Sequence, residues 1–270
     1  MCAKKRRYLR RRYVKSFVFT VDDNIWFLRD LSLSPMPSLF DHPYMAMWRG
    51  LHERYGMKIQ LNLFFATEGF TLRQMTDRYK QEFEANSDWL KLSFHSKTEF
   101  PREPYKGSPY GEIFDDCREV NEQIIRFSGE HSLAKTTTVH YCMCTEEGVR
   151  ALKDIGIRGL IGLFGNEEAP SRSYHINEQT AQRLRRGEIV LADGMRFFNI
   201  DVVLNQYSEA TVLERLKTLA HRDFVEIMIH EQYFYPYYHA YQSDYSHKVE
   251  SSIALLTELG FVSRHAEELL

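Results

Sequence analysis

Ser16-Phe17-Val18-Phe19-Thr20-Val21-Asp22-Asp23-Asn24 is the stretch that decides the fold. A short run rich in aromatic and β-branched residues reads as a buried strand, and it ends in two carboxylates. Such a run delivers both acids to one mouth of a sheet. Adjacent strand residues point to opposite faces, so the two acids are expected to divide their work, one toward a metal and one toward a proton.

Further apolar runs follow at Lys58–Phe65, Leu90–Phe94, Thr136–Met143, Gly159–Phe164, Met195–Val203 and Val225–His230, with a last short one at Phe261–Arg264. Helical patterns fall between them, at Asp41–Tyr55, Leu72–Asn86, Glu112–Ser128, Glu146–Ile155, Glu209–Ala220 and His247–Leu259. The last is the clearest, with Val249, Ile253, Leu256 and Leu259 at helical spacing. Gly156 and Gly260 stand where helix ends favour glycine. Near-continuous apolar strands alternating with helices imply parallel pairing. The expected fold is α/β, a distorted TIM-like (β/α) barrel of about seven parallel strands. An open doubly wound sheet would give the same alternation. No glycine-rich first turn supports a dinucleotide or P-loop site. The polar stretch 166–193 is helical only in part and reads as an excursion between strand and helix.

Residues 14–270 are expected to form one domain, preceded by a basic arm at 1–13. Lys4, Lys5, Arg6, Arg7, Arg10, Arg11, Arg12 and Lys15 lie at the front, and the net charge is −2, so the remainder is strongly acidic. That balance argues against a global nucleic-acid-binding surface, while the arm reads as a solvated lead-in or a grip for an anionic partner. No stretch approaches the roughly 20 apolar residues of a membrane span, and no signal-peptide pattern is visible, so a cytoplasmic protein without membrane association is expected. Cys2, Cys117, Cys142 and Cys144 have no disulfide or zinc-knuckle spacing. Cys142 and Cys144 alternate along an expected strand and read as small core residues.

In parallel barrels, chemistry gathers where strands end. Here those ends carry Asp22-Asp23-Asn24, Glu68, His95 to Glu99, His140, Asp201, and His230-Glu231-Gln232-Tyr233. His95 and Glu99 are four apart, which in one helical turn puts both on one face, and both suit a divalent transition metal. The loop Tyr233–Tyr241 is dense in aromatics, which suits stacking on sugar rings, a lid, or a contact between copies in a homo-oligomer.

Thr20-Val21-Asp22-Asp23-Asn24 resembles the Thr-Phe-Asp-Asp-Gly motif of the polysaccharide deacetylases, carbohydrate esterase family 4. His95-Ser96-Lys97-Thr98-Glu99 matches their His-Ser/Thr-x-x-His motif in spacing, with Glu in place of the second His. Met228-Ile229-His230 matches a late Leu-x-His motif. The resemblance implies a barrel binding one divalent metal, Zn first, with Mn, Fe, Ni or Co as alternatives. It implies Asp23, His95 and Glu99 as ligands, Asp22 as general base and His230 as general acid. His140, Asp201, Glu231 and Tyr233 are expected to bind substrate or orient the ligands, with His140 open as a ligand itself or as a core histidine. The implied activity is metal-dependent hydrolysis of a C–N amide on an N-acetylated sugar or small amide. Three departures, Glu99 in place of the second His among them, keep other readings open. Asn24 stands for the family's glycine, and no Arg-x-x-Pro motif follows strand four, where His140-Tyr141-Cys142 lies. A catalytically decayed carbohydrate- or metal-binding barrel and another carbohydrate-active barrel enzyme remain alternatives.

Overall fold

A computed structural model describes residues 14–165 and 173–270. The basic arm and the first part of the 166–193 excursion lie outside the described residues. The strands are β1 (Lys15–Asn24), β2 (Ile59–Phe64), the short hairpin β3 (Ala66–Thr67) and β4 (Phe70–Thr71), β5 (Leu90–Ser96), β6 (Thr136–Thr137), β7 (Gly159–Gly162), β8 (Val190–Ala192), β9 (Met195–Asn199), β10 (Val202–Val203), β11 (Phe224–His230) and β12 (Phe261–Ser263). The helices are α1 (Trp26–Leu33), α2 (Pro43–Tyr55), α3 (Lys80–Ala85), α4 (Tyr110–Ser128), α5 (Glu146–Asp154), α6 (Glu178–Arg185), α7 (Glu209–Thr218) and α8 (Tyr245–Glu258).

The strands form a distorted (β/α) barrel in two arcs. One runs β10-β11-β1-β2-β5 with every neighbour parallel, and β12 pairs with the start of β1. The other runs β6-β7-β9-β8, in which only β8 is antiparallel. A single parallel bridge, Leu92 to Leu133, joins the arcs on one side. On the other, β9 and β10 are consecutive pieces of one kinked segment: Ile200 N–H reaches Gly162 O, and Asp201 N–H reaches Glu226 O.

The alternation of β1 sorts its side chains. Phe19 packs edge-on against Trp48 of α2, with ring centroids 5.5 Å apart, on the helix-covered face. Thr20 and Asp22 face the barrel interior. There Thr20 donates to Glu226 Oε1 at 2.8 Å and Asn62 Nδ2 donates to Asp22 Oδ1 at 2.6 Å. The register aligns Asp22 with His230 and Thr20 with both Met228 and Gln60. Polar residues therefore line the inside, while the apolar core lies between strands and helices.

Several expectations change. The helix expected over Leu72–Asn86 is confined to Lys80–Ala85, after a single 3₁₀ turn at Leu72–Gln74. The strand expected over Thr136–Met143 stops at Thr137 and gives way to a tight turn at His140–Cys142, because Tyr141 and Cys142 take φ of 60° and 56°. Cys142 and Cys144 are accordingly not strand neighbours, although both are buried free thiols. The strand over Met195–Val203 is broken at Ile200 and Asp201. Helix α1 has no counterpart in the periodicity, and α6 falls in the polar stretch expected to be helical only in part.

Candidate metal centre and active site

The end of β1 departs from ideal strand geometry in a way that matters. Asp23 has φ 62°, a left-handed conformation that aspartate tolerates better than most residues. The β1–β2 register shifts between Val21 and Asn24. This irregularity re-aims the chain. Both Asp22 and Asp23 therefore line one cavity, where strict alternation would have separated them. Asn24 stabilises the turn: its Nδ2 donates to Val21 O at 2.6 Å, and its Oδ1 accepts from Tyr44 at 2.7 Å.

The cavity has a volume of about 480 Å³ and also takes in His95, Glu99, His140, His230 and Tyr233. At its floor Asp23, His95 and His140 converge, all buried. His95 Nε2 stands 3.1 Å from Asp23 Oδ1 and 3.0 Å from His140 Nδ1, and His140 Nδ1 stands 3.5 Å from Asp23 Oδ1. The outer nitrogens fix the tautomers. His95 Nδ1 lies 2.5 Å from Thr138 O, and His140 Nε2 lies 3.1 Å from Glu99 O. A carbonyl only accepts, so each outer nitrogen must carry a proton. In the neutral rings both inner nitrogens then present lone pairs to each other and to a carboxylate. That arrangement requires a positive charge between them, a proton or a metal ion. Donors about 2.1 Å from a tetrahedral zinc lie about 3.4 Å apart, close to the observed triangle. The residues present therefore fit a divalent cation.

The electrostatics agree. Burial alone would raise the Asp23 carboxyl, but the His95 hydrogen bond and the charges of His230, His95 and His140 bring it down to about 2. Burial works against charge on His95 too, yet Asp22 and Asp23 hold its pKa above the ordinary value. Burial and the neighbouring His95 push His140 down to about 4. Asp22 is raised by burial, with His95, His230 and Asn62 opposing.

The other expected residues separate into two sets. His230 sits at the cavity with Nδ1 2.9 Å from Asn205 Oδ1, and Tyr233 is on the wall. Glu99 is on the wall too, but its carboxylate is not among the three converging donors. Nor do His95 and Glu99 share a helical turn. His95 lies within β5, whose neighbour holds the chain extended through Phe65 N–H to Ser96 O and Ala66 N–H to Lys97 O. Burial and Asp23 raise the Glu99 carboxyl. Glu231 points away from the cavity. Its two oxygens accept from the N–H groups of Ile25, Trp26 and Phe27 at 2.6–2.9 Å, and from Tyr235 at 3.0 Å. Asp201 also lies off the cavity wall, paired with Arg222 at 2.5 Å. Sequence reading missed Asn62, although the alternation Ile59-Gln60-Leu61-Asn62-Leu63 marks its polar positions as one face of the strand.

No family model matches the sequence, and no curated protein matches it. Solved structures do match in fold. A 4-alpha-glucanotransferase from Thermococcus litoralis aligns over 94% of this chain and 40% of its own, with TM-score 0.62 and 13% identity. The Bc1960 peptidoglycan N-acetylglucosamine deacetylase aligns over 96% of this chain and 89% of its own, with TM-score 0.54 and 12% identity. The carbohydrate deacetylase Agd3 aligns over 94% of this chain and 53% of its own, with TM-score 0.54 and 10% identity. The chain thus spans well under half of the glucanotransferase. At these identities the likeness concerns architecture alone. The chain shares its distorted (β/α)-barrel fold with these structures, two of them carbohydrate deacetylases.

Proposed function

We propose that this protein is a metal-dependent hydrolase of a C–N amide bond, acting on an N-acetylated sugar or a small amide. The observation that carries this reading is the convergence of three lone-pair donors, Asp23 Oδ1, His95 Nε2 and His140 Nδ1, beside a second carboxylate. Those three residues would hold one divalent ion, zinc before Mn, Fe, Ni or Co. When bound, such an ion supplies Lewis acidity, which favours deprotonation of water and polarises an amide carbonyl.

The protein's own residues would divide the proton work. Asp22, buried and raised in pKa, takes a proton from the attacking water as its oxygen bonds to the acyl carbon. Asn62 fixes the orientation of that carboxylate through Oδ1. His230 would give a proton to the departing nitrogen as the C–N bond breaks. Its Nδ1 is occupied by Asn205, which leaves Nε2 for that role. Tyr233 on the wall would contact the sugar.

Elemental analysis of the purified protein tests the metal, and an assay over N-acetylated sugars and simple amides tests the reaction. About one divalent ion per chain is expected, lost in Asp23→Ala and in His95→Ala. Asp22→Asn should keep the ion and lose about 10²–10⁴-fold in turnover. Ion content unaffected by both ligand substitutions would remove the proposed site. Turnover that survives Asp22→Asn would remove the base. A bound ion with no turnover of any amide would leave a binding barrel.

A further inference from the structure

The charges of the cavity differ between floor and mouth, with the half-buried Glu99 on its wall. Its floor is acidic, with Asp22 and Asp23 only 2% and 8% exposed. Its mouth carries donors: Arg102, Gln206 and His239 line the opening and are exposed. Among the described residues Arg102 has no hydrogen-bond or ion-pair partner. This is unlike Arg29, Arg185 and Arg222, each of which pairs with an acid. A guanidinium presents a planar fork of N–H donors that matches phosphate or carboxylate oxygens.

Beside it the mouth is apolar. Phe100 and Tyr141 are 63% and 46% exposed. Tyr141 stands in left-handed backbone, which a residue of its size seldom adopts, and its ring packs edge-on against His140 at 4.5 Å between centroids. The strained turn that delivers the His140 imidazole to the floor thus also sets an aromatic face at the rim. Ring-shaped apolar contact, an unpaired cation and an acidic floor lie along one cavity. An anionic group placed at the floor would compete with the amide for the site formed by Asp23, His95 and His140 and would face the Asp22 carboxylate; at the mouth it faces a guanidinium.

We propose that the substrate is an N-acetylated sugar bearing an anionic group, a phosphate or a carboxylate, and that Arg102 binds this group at the mouth while the amide reaches the floor. This rests on the amide-hydrolase reading above and adds the charge class of its substrate.

Calorimetric titration of the full-length protein with glucosamine, glucosamine 6-phosphate and glucuronate tests it without relying on turnover. The wild type should bind at least one of the two anionic sugars about tenfold or more tightly than glucosamine, as expected for a charge-assisted fork. Which anion wins identifies the source of the charge. Arg102→Met should erase that advantage and leave glucosamine unchanged, and Arg102→Lys should restore part of it. Equal affinity of the wild type for all three sugars overturns the proposal. So does an Arg102→Met protein that binds the anion as tightly as the wild type, because the anion then sits at the floor. If no N-acetylated sugar is turned over but anion binding still depends on Arg102, the amide-hydrolase reading fails and the anion site stands.

Discussion

Between His95 Nε2 and His140 Nδ1, 3.0 Å apart, there is room for one positive charge. The opposite shifts of the two rings say where it resides without metal: His95 is raised by the two aspartates, and His140 is held down to about 4 by burial and by His95. A cation that takes the His95 lone pair must therefore expel a proton when the pH lies below the raised His95 pKa. Above about pH 4 His140 is already neutral and contributes none. Metal binding should release close to one proton per ion in that range, and the apparent affinity should fall by up to about tenfold per pH unit on further acidification. Calorimetry in buffers of different ionisation enthalpy measures the number. A release of two protons would contradict the neutral His140. His140→Ala should weaken the metal by about 10²-fold or more, and Glu99→Gln by much less, because the Glu99 contact with His140 is made by its main-chain carbonyl. Equal effects would return Glu99 to the ligand set that the sequence motif implied. Sequence left His140 open between ligand and core histidine for a physical reason. Its position depends on two consecutive residues, Tyr141 and Cys142, at positive φ, and no glycine advertises such a turn.

At the scale of elements, the site depends on how α1 begins. Its cap residue, Ile25, offers no side-chain oxygen, yet three successive N–H groups at this end are satisfied by Glu231. Glu231 follows His230 directly, so one buried carboxylate joins the end of β11 to the turn that carries Asp22 and Asp23. The helix is only eight residues long and is capped from some 200 positions away, which is why no local pattern foretold it. By contrast α6 begins with an ordinary Asn177 cap and Glu178 in the first turn, inside the polar stretch that read as helical only in part. The ends of β1, β5 and β11 were readable, because a parallel barrel exposes its chemistry where apolar runs stop, whereas those of β6 and β9 were not. Glu231→Ala leaves backbone donors at the helix start without partners and should cost about 3 kcal/mol or more. Glu231→Gln keeps the shape but substitutes an NH₂ group for one accepting oxygen, and about 1–3 kcal/mol is expected. Because Asp23 lies two residues before Ile25, Glu231→Gln should also weaken the metal by about tenfold, as loss of an orienting contact does. Denaturation midpoints and metal titration together separate this from simple destabilisation. A stability loss with unchanged metal affinity would confine Glu231 to the helix.

For the molecule as a whole, the weak places are the two seams between the arcs. One is bridged at Leu92 and Leu133, and the other is the kink at Ile200 and Asp201. Sequence reading placed Asp201 near the site because it read as an acid at a strand end. The seam supplies a different occupation for it. Its carboxylate accepts from Arg222 Nη1 at 2.5 Å, Asn199 Nδ2 at 3.0 Å and the Glu226 N–H at 3.1 Å. Arg222 in turn donates to Arg185 O at the end of α6, at 2.7 Å. One largely buried pair thus ties the kinked segment, β11 and a covering helix together. Removing one partner of a buried pair strands the other's charge, which commonly costs about 3–5 kcal/mol. Asp201→Ala should therefore lower the melting temperature by about 10 °C in a chain of this size. The same substitution should leave metal content unchanged, because Asp201 is not on the cavity wall. Asp201→Asn keeps the backbone acceptor and should fall between the two. Loss of metal in Asp201→Ala at an unchanged melting temperature would move Asp201 from the seam back to the site. An additive effect in the double variant Asp201→Ala with Glu231→Gln would mark the seam and the helix start as independent supports of one barrel.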